Sequence, residues 1–454
     1  DTLSLHDALP ISSAGSDSYI GGSGFDTVDY SGGTTSVSVR MDGLTSSGGE
    51  ASGDTLSGVE QVIGTSLSDT IIGSALADTI VGGAGADTLS GAAGADILLG
   101  GEGNDVLEGG SGADRLEGGA GFDNVTYANA TASVAARMDG LAGTSGDALG
   151  DVLVDVESVT GSSFGDAIVG SSGNDTIDGA AGDDTLLGGA GADIIAGGSG
   201  NDLIEGGVGA DQIDGGAGTD TADYSNSSSA VTAYLNGTSG AGGEAQGDVI
   251  SNVEVLKGSS FGDTLIGSSS ADTLQGQSGD DTLVGGAGAD TLVGGDGFDT
   301  ADYSASAVGV VVDLASGIGS AGDANGDRLA GIYNLTGSDY NDTLIGNGNI
   351  NVLTGGSGDD VLEGFGGTSD TLVGGAGIDY ASYLHSTNTA GLTISLLNPL
   401  VNSGDGVGDN YSSIEGLIGS AYNDTLTGDN GDNYLIANLG HDTVQGLNGN
   451  DTIT

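Results

Sequence analysis

The sequence predicts an all-β solenoid, with arrays of a nine-residue unit separated by β-rich inserts. Three observations predict it. An aspartate returns every ninth residue behind glycines, as in "GGAGADTLS GAAGADILL GGEGNDVLE GGSGADRLE" (82–117), and an aliphatic follows two residues later. The aspartates flanking each insert lie 43 residues apart four times (26 to 69, 123 to 166, 220 to 263, 299 to 342) and 45 once (379 to 424), a constancy that a flexible linker has no reason to keep. The super-period is 97 twice, then 79 and 80, so arrays change by about 18 residues and two units form one turn.

Within one unit, such as "GGAGADTLV" (285–293), glycines at the first, second and fourth positions permit backbone angles closed to other residues. Positions seven to nine form a short strand whose middle residue points inward. One such strand buries nothing alone. Two units per turn, stacked, give two parallel sheets around a thin aliphatic core. The turn carbonyls and the sixth-position carboxylate are hard oxygen donors, which suit Ca²⁺. Nitrogen and sulfur ligands are missing: there is no Cys, and His6, His385 and His441 are isolated in the sequence.

The aspartates that keep the phase are the candidate metal ligands. The first full array holds Asp69, Asp78, Asp87, Asp96, Asp105, Asp114 and Asp123. The second holds Asp166, Asp175, Asp184, Asp193, Asp202, Asp211 and Asp220, and the third Asp263, Asp272, Asp281, Asp290 and Asp299. The fourth has Asp342, Asp360, Asp370 and Asp379, with Asn351 in phase and one extra residue near Gly366. The fifth has Asp424, Asp442 and Asp451, with Asn433 in phase. Asp17 and Asp26 open the series. Roughly one ion per repeat is expected within arrays.

Composition bounds the rest. There are 65 acidic and 5 basic residues, for a formal charge of −60, so the chain repels itself and divalent cations are the natural counter-charge. Nucleic acid is excluded as a partner by the lack of any basic patch. No apolar run is long enough to span a membrane, and no signal peptide is visible. Residues 1–12 fall outside the pattern. "SLHDALPI" reads like a translated sequencing-adapter oligonucleotide, so this tail is expected to be artefactual or disordered. The chain stops inside a repeat at "NGNDTIT", and a longer parent protein is expected. The super-units run over 13–123, 124–220, 221–299 and 300–379, with a truncated fifth at 380–454.

With its G-G-x-G-x-D-x-U-x units, the sequence resembles the RTX (haemolysin-type) calcium-binding nonapeptide-repeat proteins. The inserts, with their DYS, GD and E motifs, also look like those of bacterial RTX proteins. The resemblance covers nearly everything from Gly15 to Thr454. It implies a parallel β-roll, Ca²⁺ held by turn carbonyls and the sixth-position Asp, and type I secretion to the extracellular space. Units that lack turn glycines, such as "GSALADTIV" (73–81), and the Asn substitutions put calcium in doubt there.

Other motifs carry weaker signals. Asp54, Asp151, Asp248, Asp327 and Asp409 recur in the inserts as "GD", either as ligands or as turn caps. Tyr30, Tyr127, Tyr224 and Tyr303 are expected to pack over the roll rather than to stack on sugars. Arg40 and Arg137 are expected in local salt bridges. "DANGD" (323–327) lacks the twelfth-position Glu of an EF-hand. No zinc-protease motif and no His with a Ser or Cys partner occurs, so no catalytic residue is assigned. The expected function is a secreted, calcium-folded structural or adhesin-type module, with an extracellular polysaccharide or a cell surface as a candidate partner. The alternatives are the non-catalytic C-terminal part of a secreted metalloprotease, lipase or alginate epimerase, and a polysaccharide-binding module.

Overall fold

The computed structural model describes residues 2–4, 9–10 and 15–454. They contain β-strands and single 3₁₀ turns, and no α-helix. Nearly all strand pairs are parallel and most are offset by 18 residues: Leu89 lies opposite Leu107, and Leu98 opposite Leu116. The chain is a parallel β-roll with two nonapeptides per turn. Across Gly366 the offset is 19, with Leu353 opposite Leu372 and Leu362 opposite Ala381, and it returns to 18 beyond, with Leu417 opposite Leu435. One inserted residue shifts both sheets together because each turn contains both.

Two units are described separately, residues 1–222 with 247–253 and residues 223–246 with 254–454. In the first, a ten-stranded parallel sheet runs from Ser38–Arg40 to Val249–Ser251. A seven-stranded sheet runs from Leu9–Pro10 to Val152–Val154, and another opens at Ala135–Arg137. In the second unit, an eight-stranded sheet runs from Thr232–Tyr234 to Asn410–Ser412. Thr2–Ser4 pairs with Ser18–Ile20 and Leu9–Pro10 with Val28 and Asp29. The rest of the tail set apart at 1–12, His6 included, lies outside the described residues.

The inward residues are the position-eight aliphatics. Leu89, Leu98, Leu107, Leu116, Ile168, Leu186 and Ile204 have no exposed surface. Their neighbours at positions seven and nine point outward and are half-buried or exposed. The inserts are folded into the same roll. Val37, Val39 and Met41 alternate inward around strand Ser38–Arg40, and Val59 and Val62 point inward at Gln61–Ile63.

Four of the five inserts change which sheet the chain builds. In residues 123–166, Asn124–Thr126 and Ser158–Thr160 continue the ten-stranded sheet. Val152–Val154 closes the seven-stranded one, and Ala135–Arg137 opens its successor by pairing with Ala167–Val169. The insert at 299–342 differs: Thr300–Asp302 and Asn334–Thr336 continue one sheet, whereas Arg328–Ala330 and Val311–Asp313 both stay in the other, joined by antiparallel pairing through Ile318–Ala321. A fixed insert length follows, because three strands must land in register with three different partners.

Ile195 lies opposite Ile177 and Ile213 and is 1% exposed. Ile195→Ala should cost about 2–5 kcal/mol and lower the melting temperature in saturating calcium while the bound-ion count stays that of the parent. Thermal melts paired with calorimetric ion counting check this.

Candidate metal centre

The site starts from the residue just before each strand. Pairing fixes the strand, and the aspartate ahead of it is drawn under the neighbouring turn. There its Oδ1 accepts a backbone N–H from the turn before. Asp69 N–H donates to Asp87 Oδ1 at 2.7 Å, Asp87 to Asp105 at 2.8 Å, and Asp105 to Asp123 at 2.8 Å. A second row runs Asp78, Asp96, Asp114 at 2.8 Å per step. The next arrays repeat it: Asp166 to Asp184, Asp202 and Asp220, and Asp175 to Asp193 and Asp211. Then follow Asp263 to Asp281 and Asp299, Asp272 to Asp290, and Asp342 to Asp360 and Asp379.

The other carboxylate oxygen decides the chemistry. Oδ2 of Asp26, Asp87, Asp96, Asp105, Asp114, Asp123, Asp184, Asp193, Asp202, Asp211, Asp281, Asp290, Asp299, Asp360, Asp370 and Asp379 is buried without a hydrogen-bond partner. A buried carboxylate oxygen with no partner is costly. It lies against the first glycine of its own unit: a side chain on Gly82 would collide with Asp87 Oδ2 and sit 2.8 Å from the Gly100 carbonyl oxygen. So the first glycine is needed for space, and Gly83 and Gly85 both for space against the previous turn and for their positive φ of 116°. Four of the five cationic side chains are engaged elsewhere. Arg40 and Arg137 pair with Asp42 and Asp139 as expected, Arg115 with Glu117, and Lys257 with Asp223.

Among the described residues, no three His, Cys, Asp or Glu side chains gather into a metal-holding group. A cation beside these carboxylates would therefore draw on backbone carbonyls such as that of Gly100. The residues present fit a hard cation of calcium type.

Not every phased aspartate has this geometry. At the opening of each array, the residue four before the Asp is Ser or Thr, and its N–H donates to Oδ2. The pairs are Thr65 to Asp69 at 2.5 Å, Ser74 to Asp78 at 2.6 Å, Ser162 to Asp166 and Ser171 to Asp175 at 2.5 Å. Ser259 to Asp263, Ser268 to Asp272, Ser338 to Asp342 and Ser420 to Asp424 are alike. Asn351 and Asn433 accept the same bond from Asn347 and Asp429, and donate through Nδ2 to the carbonyls of Tyr333 and Glu415. Asp442 and Asp451 accept N–H bonds from Asp424 and Asn433 but are half-exposed. Asp220 is fully buried, with Oδ1 on the Asp202 N–H. The sequence pattern offered every phased aspartate as a ligand and set apart only units such as 73–81, which lack turn glycines, and the Asn positions. The distinguishing signal was the second position of the unit: Ser or Thr in the opening pair, a residue with positive φ (Gly83, Ala92, Gly101, Ala180, Gln277) in the interior.

The insert "GD" aspartates prolong these rows. Asp151 Oδ1 accepts the Asp114 N–H at 2.9 Å, and Asp54, Asp248, Asp327 and Asp409 take equivalent bonds from Asp17, Asp211, Asp290 and Asp370. The insert tyrosines do pack inside the roll, and the hydroxyls of Tyr30, Tyr127, Tyr303 and Tyr383 reach these same aspartates, which the sequence reading missed. His385 is not isolated: its Nδ1 lies 2.9 Å from Glu363 Oε2. His441 makes a backbone bond to Asn423.

Burial, reinforced by the like charges one turn away, raises the interior carboxylates. Asp87, Asp96, Asp184 and Asp360 are pushed up to about 7, and Asp193, Asp281 and Asp290 to about 6, against the bonds from the preceding N–H groups. Burial likewise raises Asp370 to about 6.

The sequence profile of the RTX calcium-binding nonapeptide repeat matches residues 11–29, 63–98, 90–125, 160–195, 187–222, 258–292, 266–301, 336–368, 366–381 and 418–453, more than half of the chain. The chain belongs to this family. Apart from residues 1–10 and Thr454, the unmatched stretches lie in the inserts. A search of curated proteins finds no match. The protein is thus a β-roll module of calcium-binding RTX repeats, and its described architecture is non-catalytic in type. RTX proteins are typically secreted. Among the described residues no helix is long and apolar enough to cross a membrane.

In the metal-free RTX chain, carboxyls raised in the fold favour folding while protonated. That stability is fully present below the ordinary Asp range near 4 and is lost as pH rises through about 6–7. Acidifying calcium-free protein from about pH 8 to about 5 should therefore increase its β circular-dichroism signal. A signal that stays flat or falls over that range would count against the buried-carboxylate geometry.

Proposed function

We propose that the chain is a secreted structural or adhesin-type module that folds when it meets extracellular calcium. The observation that carries this reading is the succession of buried Oδ2 atoms without partners, one turn apart, in a chain of net charge −60. Without a cation, folding brings these carboxylates together in a water-poor turn and leaves them unpaired. A ligand that binds only the folded form supplies the missing free energy by mass action, as structural metals do. Low cytosolic calcium would leave the chain unfolded for export, and millimolar calcium outside would fold it.

The ions belong to the interior turns: Asp87 to Asp123, Asp184 to Asp211, Asp281 to Asp299, and Asp360 to Asp379. The opening aspartates, already bonded through Oδ2 to Ser or Thr, hold none, so the ion count is smaller than the number of repeats. Asp442 and Asp451, half-exposed, bind weakly. A candidate partner is an extracellular polysaccharide or a cell surface; an acidic glycan would need bridging calcium, since the chain has no basic groove to receive it.

Circular dichroism should show β structure in millimolar calcium and its loss in excess chelator at neutral pH; native-like signal in chelator would sink the proposal. Within the second array, Asp193→Ala should bind fewer ions and need more calcium to fold, while Asp175→Asn should keep the parent's count. Calorimetric titration of both variants checks the assignment, and equal losses would show that the opening turns also hold calcium.

A further inference from the structure

Each insert contains a turn that nine-residue phasing does not reveal. The segments "GEASGDTLS" (49–57), "GDALGDVLV" (146–154), "GEAQGDVIS" (243–251), "GDANGDRLA" (322–330) and "GDGVGDNYS" (404–412) carry glycine first and aspartate sixth, like the repeats. They also stack like repeats. Leu153 lies opposite Leu116, Leu329 opposite Leu292, and Tyr411 opposite Leu372. Their aspartates take the next place in the Oδ1 row, as Asp151 does after Asp114. They differ in the turn itself. An acid replaces the second glycine, and the backbone there makes one 3₁₀ turn, such as Gly146–Ala148.

They differ, too, at Oδ2. Where interior aspartates leave this atom bare, a buried tyrosine hydroxyl donates to it. The distances are 3.0 Å from Tyr30 to Asp54, 3.1 Å from Tyr127 to Asp151, and 2.9 Å from Tyr303 to Asp327 and from Tyr383 to Asp409. Each tyrosine sits at the start of its insert, 24 or 26 residues ahead of its aspartate. Tyr127 is held by its own N–H on the Thr160 carbonyl at 2.9 Å, on the sheet that continues through the insert. Its hydroxyl reaches the aspartate ahead of Val152–Val154, the strand that closes the other sheet. The bond therefore ties a sheet that ends to one that goes on.

We propose that these insert turns are metal-free stops, in which the tyrosine hydroxyl takes the place at the carboxylate that a cation takes inside the arrays. Rows of ions then end at each insert, and where a sheet closes there, as at Val152–Val154, a hydrogen bond holds its edge. The inference rests on the calcium reading of the arrays. Both oxygens of Asp151 are already engaged, and burial keeps the Tyr127 hydroxyl protonated as a donor. The competing arrangement is a cation shared by the "GD" aspartate and the acid four residues before it, Glu50, Asp147, Asp323 or Asp405.

The test compares Asp151→Asn, Tyr127→Phe and Asp193→Asn in the full chain, with calcium as the ligand. Ion counts come from calorimetry and amide exchange is read in saturating calcium. Asp151→Asn and Tyr127→Phe should keep the parent's count. Tyr127→Phe should exchange about tenfold faster at Val152–Val154, as expected for a lost buried bond to a carboxylate, with residues 176–213 unchanged. Loss of an ion in Asp151→Asn or Tyr127→Phe would establish the shared-cation arrangement and overturn the proposal, as would unchanged exchange at Val152–Val154. Asp193→Asn separates the two readings. If it loses no ion, the calcium assignment of the arrays fails, while the two insert variants still decide whether the stop holds.

Discussion

One bond repeats through the molecule: a backbone N–H just ahead of a strand donates to Oδ1 of the aspartate one turn later. It spaces the turns, and it fixes each carboxylate so that the remaining oxygen faces its own first glycine. Everything else depends on what that oxygen meets. At the opening of an array it meets a Ser or Thr N–H; at an insert, a tyrosine hydroxyl; in the interior, no protein donor. The interior carboxylates are thus both a requirement of the stacking and the source of its instability without a cation.

This arrangement explains how a chain with 4% aromatic residues and no Trp forms ordered sheets. The core is one aliphatic per strand, Leu89 on Leu107 and Leu98 on Leu116, and the strands themselves are mostly three residues long. Such a core is thin, so the turns must contribute to stability. In repeat architectures each turn contacts mainly its neighbours, and stability is approximately a sum of local terms. Cation binding distributed along the rows suits that regime: every interior turn receives its own support, and a weak turn such as that of Asn351 costs only its surroundings.

The inserts answer a different need. A sheet that stops presents unpaired backbone groups, which invite pairing with other chains. At Val152–Val154 the closing strand coincides with a buried tyrosine–aspartate bond, and a successor sheet opens within the same insert. The recurring insert length, the "DY" motif and the "GD" motif are therefore parts of one device, with the tyrosine and the aspartate as its two ends, 24 residues apart three times and 26 once.

The nine-residue phase was enough to determine the fold, because a strand period and a turn period leave few ways to bury Leu89, Leu98 and Leu107 at once. The phase, the charge and the glycines also pointed to a hard cation. What the phase could not separate was Asp175 from Asp193, or either from Asp151. All three follow glycine-rich turns, precede an aliphatic by two and are buried. Their difference lies in the partner of a single oxygen. Ser171 is close enough in sequence that its role was legible once known, but Tyr127 reaches Asp151 only because the insert folds back across two sheets. Local pattern determines which residues enter a turn; which donors surround a carboxylate is decided by segments brought together through space, and only the tertiary structure contains that.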